Sequence, residues 1–385
     1  MSGGRPTRVL MVTDTLALGG AERVAVDVAN SLDRRTHRVT FCSTRFDGAL
    51  RAQLRSDVTV ELLSRRSTWD PGGILRFGRL LRRHDVDVIH SHGRGTMKLV
   101  ALVRQTCGVA AHHVFHDHYG PLHLDRRAPP GLRVALRIGV DAYVGVDRRL
   151  CRWATDVVGL DPGRVHLVRS GVDLDRFVDV APTNLRREFD LEGREVVLVM
   201  IAHFRHQKDQ PVVFRAIAGL PPSLRERLGV VIVGRIVQDT DYFARCMAMV
   251  HHLGVGETIR VAGARDDALS LLAGADGGLL ASRNETGPLV VLEYMASGLP
   301  FVVTDTGQIT REVRDLGIGF TPAPCDARAL TEALARIITL GPEGRRAMGA
   351  AGRGIAESQF DQRAVTSDIE RLYRDVQRAD APAGG

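Results

Sequence analysis

The chain has 385 residues, of which 44% are hydrophobic and 25% charged, and it carries a formal net charge of +7. This composition is ordinary for a globular protein, and the length exceeds one comfortable core, so two domains are predicted. The five cysteines are scattered without a C-x-x-C pair, which argues against a disulfide framework or a cysteine zinc site, and no run approaches the roughly 20 apolar residues of a membrane helix.

We therefore expect a cytoplasmic protein with reduced cysteines, for which peripheral contact with a membrane remains open. The positive charge comes largely from arginine. It suits phosphate-rich ligands and anionic membrane surfaces alike, so it does not choose between them.

Short β-branched runs alternate with helical patterns along the whole chain, which is typical of parallel α/β layers. In the first half, strands are predicted at residues 9–12, 38–42, 86–90 and 143–146. In the second half, they are predicted at residues 196–201, 230–233, 259–261, 278–280 and 301–304.

These elements predict an α/β protein with two Rossmann-like domains, residues 1–180 and 190–358, joined by a polar linker near residues 178–190. Residues 359–378 are predicted to form a last helix that packs back on the first domain. Because ligands bind beyond the carboxyl ends of the strands in open parallel sheets, the two domains are expected to face each other across a cleft.

A candidate binding loop follows the first predicted strand. Its sequence, Leu18-Gly19-Gly20-Ala21-Glu22-Arg23, leads into a helix predicted for residues 24–32. Two glycines let the backbone approach a phosphate closely at a helix N-terminus, although a simple tight turn explains them equally well. Another glycine cluster, at residues 349–354, lies in a late helical region and predicts a turn.

Arginines recur at helical spacing in residues 74–83. The pattern predicts a helix that packs on the sheet, and docking on a membrane surface is the less favoured interpretation.

Histidines are dense in the predicted first domain and include His90, His92, His112, His113, His116 and His118. Several follow predicted strands, where reactive groups collect, and a histidine there can hydrogen-bond a hydroxyl or a phosphate. A purely structural role remains the alternative for each of them. The H-x-H pairs suggest a metal ligand set, but no third ligand with usable spacing is evident, so no metal site is predicted.

Arg205 and Lys208 follow the predicted strand at residues 196–201, in a loop that also holds two histidines. Such positive charge would suit a diphosphate leaving group, because negative charge builds on a leaving group as its bond breaks. A solvated basic loop is the alternative.

Glu285 and Glu293 stand eight positions apart, the first in a loop and the second in an apolar helix. Pro288 suits the first helical turn, and the N–H groups of Thr286, Gly287 and Leu289 would then form an anion site. Carboxylates beside that site accept hydrogen bonds from hydroxyls, so a nucleotide sugar fits best. A capping Glu285 and a solvated Glu293 are the alternative interpretation of the pair.

Taken together, five segments resemble the motifs of glycosyltransferase family 4, the retaining enzymes of GT-B fold, across nearly the whole chain. Residues 19–23 resemble its G-G-A-E-R loop, and residues 170–177 its N-G-V-D-x-x-x-F segment. Residues 285–293 match E-x7-E. Residues 293–300 and 304–307 are similar to E-A-M-A-x-G-x-P and T-D-x-G.

The resemblance implies a role for each candidate residue. Glu285 would contact hydroxyls of the donor sugar, Glu293 would contact the ribose, and Lys208 would contact the diphosphate. Backbone N–H groups at Gly287, at Leu289 and in the Gly20 loop would hold the diphosphate and sugar, and Thr286 and Pro288 are counted with the donor-binding residues. Val233, Gly234 and Arg265 would line the nucleobase, and no divalent metal is implied.

Other positions depart from the family pattern or leave a choice open. His116 best matches the family histidine near the reacting sugar, with His118 as the alternate. The family often places arginine where this chain has His203, so the second cationic role passes to Arg205. Ser170 replaces the usual asparagine.

The sequence thus predicts a retaining glycosyltransferase that moves a sugar from a UDP- or GDP-linked donor to an acceptor hydroxyl. The acceptor is a glycan, a lipid-linked molecule or a small molecule. No cofactor and no nucleic-acid partner are expected, and the oligomeric state is left open. The alternatives are a GT-B phosphorylase, a nucleotide-sugar epimerase or a catalytically silent binding subunit.

Overall fold

A computed structural model describes residues 5–67, 70–119, 127–236 and 240–379. The chain forms two compact units, and it passes between them at Gly171–Val172 and at Asp361–Gln362. The first unit therefore contains the end of the chain as well as its beginning. The segment 178–190, which was predicted to be a linker, belongs to the second unit.

The first unit is built on seven parallel strands, in the order β3-β2-β1-β4-β5-β6-β7. Its strands are β1 (Thr7–Thr15), β2 (His37–Phe46), β3 (Thr59–Leu62), β4 (Val88–His92), β5 (His112–Asp117), β6 (Ala142–Gly145) and β7 (Val165–Leu167). Its helices before the crossing are α1 (Gly20–Ser31), α2 (Pro71–Arg83), α3 (Arg94–Cys107), α4 (Pro130–Gly139) and α5 (Arg148–Arg152).

The second unit is built on six parallel strands, in the order β10-β9-β8-β11-β12-β13. Its strands are β8 (Val196–Ile201), β9 (Leu228–Val233), β10 (Ile259–Gly263), β11 (Gly277–Leu280), β12 (Phe301–Val303) and β13 (Gly319–Phe320). Its helices are α6 (Leu185–Glu188), α7 (Gln210–Ala218), α8 (Pro222–Arg225), α9 (Thr240–His252), α10 (Ala268–Ala273), α11 (Leu289–Ala296), α12 (Gly307–Val313), α13 (Ala327–Thr339) and α14 (Gly341–Gln359).

A last helix, α15 (Gln362–Ala379), belongs to the first unit. Its Tyr373 side chain is fully buried, and its Glu370 carboxylate accepts a hydrogen bond of 2.8 Å from the backbone N–H of Asp33. The helix is therefore anchored to the loop after α1 by a polar contact as well as by apolar packing.

The two parallel sheets confirm the predicted α/β class, and every predicted strand overlaps an observed one. Four observed strands were not predicted: β3, β5, β7 and β13. Three of them have only two to four residues, and β5 contains three histidines, so none presents the apolar run of a buried strand. Strands of parallel sheets are buried on both faces, and central strands such as β8 and β9 show this plainly.

The predicted turn at residues 349–354 was wrong, because these residues lie inside α14. A Cβ added at Gly349 would clash with the carbonyl oxygen of Gly298, just before β12. The glycine therefore serves the close approach of a helix to a neighbouring turn, a requirement that depends on tertiary packing.

The arginine-rich segment forms α2, in agreement with the favoured interpretation. Its Phe77, Leu80 and Leu81 side chains are buried in the core of the first unit, whereas Leu75 is exposed. Within the part of the chain that the structure describes, no helix combines the length and the apolarity needed to cross a membrane.

Tyr294 of α11 is hydrogen-bonded to two adjacent strands in the middle of the second sheet. Its buried hydroxyl lies 2.8 Å from the carbonyl oxygen of Leu279 in β11 and 3.1 Å from that of Val199 in β8. We expect Tyr294→Phe to lower the free energy of unfolding by about 1–3 kcal/mol, because buried carbonyl groups lose their donor. Urea unfolding measures this loss. Tyr119→Phe, which removes the hydroxyl of a half-buried tyrosine in the first unit, should change stability by less than about 0.5 kcal/mol, and an equal effect of both would contradict the prediction.

Candidate functional site

The carboxyl ends of four neighbouring strands carry most of the candidate residues of the second unit. The sheet order places β10, β9, β8 and β11 side by side and parallel, so the loops that follow them leave the same edge. These loops contain Arg265, Gly234, Lys208 and Glu285 respectively. Such an edge is where open parallel sheets bind ligands.

Lys208 and Glu285 form the most direct contact between the predicted residues. The Lys208 Nζ atom lies 2.6 Å from Glu285 Oε1, and the side chain of Lys208 is 23% exposed and that of Glu285 12% exposed. The Ser282 hydroxyl donates to the same carboxylate oxygen at 2.8 Å. The pair therefore places a positive charge and an acceptor for hydroxyl groups at one point between β8 and β11.

A second ion pair, which was not predicted from the sequence, joins the same two loops. Asp209 is 1% exposed and has a left-handed backbone with φ of 46°, and its carboxylate accepts from Arg283 at 3.0 Å. The N–H of Arg283 also donates to the Gln207 carbonyl oxygen at 2.8 Å. No sequence signal marks this pair, because Asp209 looks like an ordinary residue preceding a helix.

The helix α11 starts directly beside this pair. Pro288 precedes its first residue, one position earlier than the predicted place in the first turn, which is within the ordinary uncertainty of helix ends. The N–H groups of Gly287 and Leu289 lie at the N-terminal end of α11, where the positive end of the helix dipole is found. The carbonyl oxygen of Thr286 accepts from the N–H of Gln308 at 2.8 Å, which holds this loop against α12.

Glu293 lies one turn into α11 and is half-buried. Its carboxylate makes no hydrogen bond or ion pair with the residues that the structure describes. A half-buried carboxylate without a protein partner can accept hydrogen bonds from a ligand. Such bonds would offset the free energy that is lost when the carboxylate is left unpaired.

The remaining candidates of the second unit are less closely joined. Gly234 follows β9 directly, and a Cβ there would clash with the Ala202 carbonyl oxygen, so only glycine fits. Arg265 is held by Glu188 at 2.8 Å and by Asp267 at 2.7 Å, and hydrogen bonding to Asp267 raises its pKa. Arg205 is exposed, and its guanidinium contacts no carboxylate among the described residues.

In the first unit, the candidate residues lie near or after the carboxyl ends of the adjacent strands β1, β4 and β5. Gly20 is the first residue of α1, and the preceding Gly19 has an extended backbone. His116 occurs near the end of β5 and is 1% exposed, and both of its ring nitrogens lack a hydrogen-bond partner among the described residues. Burial holds the pKa of His116 well below its usual value of 6.5, so the imidazole is neutral.

The strand register brings together histidines that are far apart in the sequence. His92 of β4 pairs with His116 of β5, and His90 lies two residues before His92 on the same face. No third ligand was evident from the sequence for the H-x-H pairs, but the fold supplies one. One ring nitrogen from each of these three histidines lies within 4.8 Å of the others.

Arg94 is a further residue of this edge, and it was not predicted from the sequence. It starts α3, directly after the His90–Gly93 segment, and its guanidinium lies 3.3 Å from the buried carboxylate of Asp117. The guanidinium also stacks 3.8 Å from the ring centre of Tyr119. A cation therefore lies beside the end of β5, where only histidines were predicted.

Two family models match the chain, one in each half. Residues 18–176 match the model described as Glycosyltransferase Family 4, and residues 183–354 match the one described as Glycosyl transferases group 1.

Curated relatives match over most of the chain. The N-acetyl-alpha-D-glucosaminyl L-malate synthase of Bacillus anthracis is 24% identical over 375 residues, which cover 94% of this chain and 96% of the relative. The D-inositol 3-phosphate glycosyltransferase of Actinosynnema mirum is 30% identical over 335 residues, which cover 81% of this chain and 78% of the relative.

Solved structures share the fold at low sequence identity. Anabaena Alr3699/HepE in complex with UDP and glucose superposes with a TM-score of 0.82 at 18% identity, covering 96% of this chain and 100% of that chain. A glycosyltransferase from Rickettsia africae gives 0.81 at 17% identity, covering 97% and 99%. The predicted fold class, two Rossmann-like domains of GT-B type, is confirmed. The chain belongs to glycosyltransferase family 4 and is a glycosyltransferase.

Proposed function

We propose that the protein transfers a sugar from a nucleoside diphosphate sugar to an acceptor hydroxyl, with retention of configuration at the anomeric carbon. The observation that carries the proposal is the contact of Lys208 with Glu285 beside the start of α11. A cation, a helix N-terminus and carboxylates together suit a ligand that is both a diphosphate and a polyol.

The residues have distinct roles in this proposal. Lys208 and the N-terminus of α11 stabilise the negative charge that grows on the leaving diphosphate. Glu285 accepts hydrogen bonds from the donor sugar, and Glu293 accepts them from the ribose. Arg205 is proposed as the second cation on the diphosphate. Its side chain is exposed and can therefore reorient toward a bound ligand.

The nucleobase is proposed to lie by Val233 and Gly234, where the chain cannot carry a side chain at Gly234. Arg265 is proposed to flank it. The neutral His116 of the first unit is proposed to contact the reacting sugar, and the backbone at Gly20 to contact the diphosphate. The leaving diphosphate itself takes the acceptor proton, so this route requires neither a protein nucleophile nor a divalent metal.

The names of the relatives and neighbours support a choice of substrates to test. Alr3699/HepE forms complexes with UDP and with UDP-glucose, which supports a UDP-linked donor. The relatives are named for L-malate and for D-inositol 3-phosphate, so small hydroxylated anions are the first acceptors to try. All five cysteines are unpaired, which supports the proposed cytoplasmic location.

Thermal melting with UDP, GDP and inorganic phosphate tests the donor site. A nucleoside diphosphate that binds the native state raises the melting temperature. We expect Glu293→Ala to weaken that binding by about 10- to 150-fold, because hydrogen bonds to a charged group contribute about 1.5–3 kcal/mol.

Glu257→Ala is the matched control. Glu257 is an exposed residue of the same unit. It lies just before β10, at the amino ends of the strands and therefore away from the proposed site, so nucleotide binding should not change. A rise with phosphate but with no nucleotide would favour a phosphorylase over this proposal. With an active donor and acceptor, the anomeric configuration of the product, read by NMR, decides whether transfer is retaining.

A further inference from the structure

Three buried histidines form a cluster at the carboxyl edge of the first sheet: His90, His92 and His116. They are at most 3% exposed, and the centres of their rings lie 4.5–5.4 Å apart. We call this set the histidine cluster. The donor site proposed above uses only His116 from it, so the burial of three imidazoles together has no explanation there.

The hydrogen bonds of the cluster follow the pattern of metal-binding histidines. His90 Nδ1 lies 2.6 Å from the Tyr373 hydroxyl, and His92 Nδ1 lies 3.0 Å from Nε2 of His118. The second ring nitrogen of each histidine makes no strong hydrogen bond. Among the described residues, His90 Nε2 has no hydrogen-bond partner, and His92 Nε2 lies 3.2 Å from the sulfur of Met11, which is a weak acceptor. Histidines that bind metals characteristically engage one ring nitrogen with a protein group and leave the other for the metal.

His116 completes the set from the neighbouring strand. Both of its ring nitrogens are buried without a partner among the described residues. A buried polar atom that makes no hydrogen bond costs about 1–3 kcal/mol, so a ligand that binds these ring nitrogens would remove that cost. Burial also lowers the pKa of these histidines, and the resulting neutral imidazole is the form that binds metals.

We propose that the histidine cluster binds one first-row transition-metal ion, such as Zn²⁺, through a ring nitrogen of each of His90, His92 and His116. The three nitrogens lie within 4.8 Å of one another, whereas tetrahedral Zn–N bonds of 2.0–2.1 Å require about 3.4 Å, so small ring rotations complete the site. Three protein ligands leave a fourth position for water or an exogenous anion. Because all ligands are neutral nitrogens, Mg²⁺ and Ca²⁺ should not bind.

This inference is independent of the proposed function. The donor diphosphate is assigned to Lys208 and α11 in the second unit and needs no metal there. Metal binding is measured without donor or acceptor, so a failure of either proposal leaves the other standing. Because His116 is shared, the loaded protein should transfer sugar more slowly than the metal-free protein.

The test uses the full chain, freed of metal with a chelator and then titrated with Co²⁺ or Zn²⁺. We expect one ion per chain in equilibrium dialysis, a rise in melting temperature, and the visible absorption of tetrahedral Co²⁺. X-ray absorption of the Zn²⁺-loaded wild-type protein should show three imidazole ligands, a fourth ligand from water or an anion, and no protein sulfur. A sulfur ligand at about 2.3 Å would assign the ion to a cysteine and overturn the proposal.

Variants locate the site. His116→Gln should weaken Zn²⁺ binding by more than about 100-fold, and Tyr373→Phe by about 10- to 100-fold, since partners of ligands contribute that much. The matched control is His113→Gln. His113 is equally buried on β5, but its ring nitrogens are occupied by Ser91 and by the carbonyl oxygen of Gly139. No binding by the wild-type protein, or unchanged binding by a folded His116→Gln variant, would refute the site.

Discussion

Replacing Lys208 with alanine should lower kcat/KM for sugar transfer by about 100- to 1000-fold, the loss typical when one preorganised group that stabilises transition-state charge is removed. The loss should appear mainly in kcat, since the charge on the leaving diphosphate is greatest in the transition state. The fold should persist, because Glu285 keeps its hydrogen bond of 2.8 Å from Ser282. Steady-state kinetics on a variant with a melting temperature close to that of the wild type measures the effect.

The composition of the chain makes this experiment unusually clean. Lys98 and Lys208 are the only lysines among the 52 lysine and arginine residues. Lys98→Ala is the matched control, because Lys98 is exposed on α3 of the first unit and should not affect transfer. An activity of Lys208→Ala within threefold of the wild-type value would remove Lys208 from the mechanism.

Chemical labelling gives a second readout that does not depend on activity. Pyridoxal phosphate followed by borohydride modifies accessible amines, and its phosphate favours anion sites. We expect peptide mapping to find label on Lys208 that UDP or GDP prevents, while label on Lys98 is unaffected by nucleotide. Labelling of both lysines that ignores nucleotides would contradict a diphosphate site at Lys208.

Mild acid should unfold the first unit before the second when metal is absent. Burial lowers the pKa of His90 to about 3 and that of His113 to about 4, from 6.5, and it also lowers those of His92 and His116. Below pH 6.5, histidines of the unfolded chain bind protons that the buried histidines of the folded chain do not. The stability that depends on these neutral histidines is therefore fully present above pH 6.5 and is lost as the pH decreases. At about pH 4.5, the lowered pKa values of His90 and His113 each reduce stability by roughly 2–3 kcal/mol, a substantial part of the total stability of a small domain.

The distribution of histidines supplies the internal comparison. The four histidines of the second unit, His203, His206, His251 and His252, are exposed or half-buried, so that unit should resist the same acid. Carboxylates titrate mostly below this pH window, which separates their effect from that of the histidines.

Tryptophan fluorescence can follow the first unit alone. The chain has two tryptophans, and Trp69→Phe leaves Trp153, which is buried in the first unit, as the reporter. With chelator present, the urea midpoint from fluorescence should fall steeply between about pH 6.5 and 4.5, ahead of the midpoint from circular dichroism. A double variant, His251→Gln with His252→Gln, should leave this dependence unchanged. A midpoint that stays constant over the window would show that these histidines already titrate in the folded state.

The amino-acid sequence determined the class of the fold and the family. Apolar runs such as residues 196–201 predict a buried strand, because both faces of a parallel sheet exclude water. The signal lies within a few consecutive residues. The short spacing from Glu285 to Glu293 likewise fits within one loop and one helix. Such patterns can be recognised without knowing which distant residues they contact. For this reason the predicted α/β class and the family 4 resemblance were confirmed.

Only the tertiary structure decided which distant residues meet. Strand pairing placed His92 beside His116 and so created the histidine cluster, and the β8–β11 contact brought Lys208 to Glu285 and Arg283 to Asp209. The role of Gly349 in helix packing and the burial that lowers the histidine pKa values also arise from long-range packing. Register and burial depend on all neighbouring elements at once, and the local pattern of side chains does not contain that information.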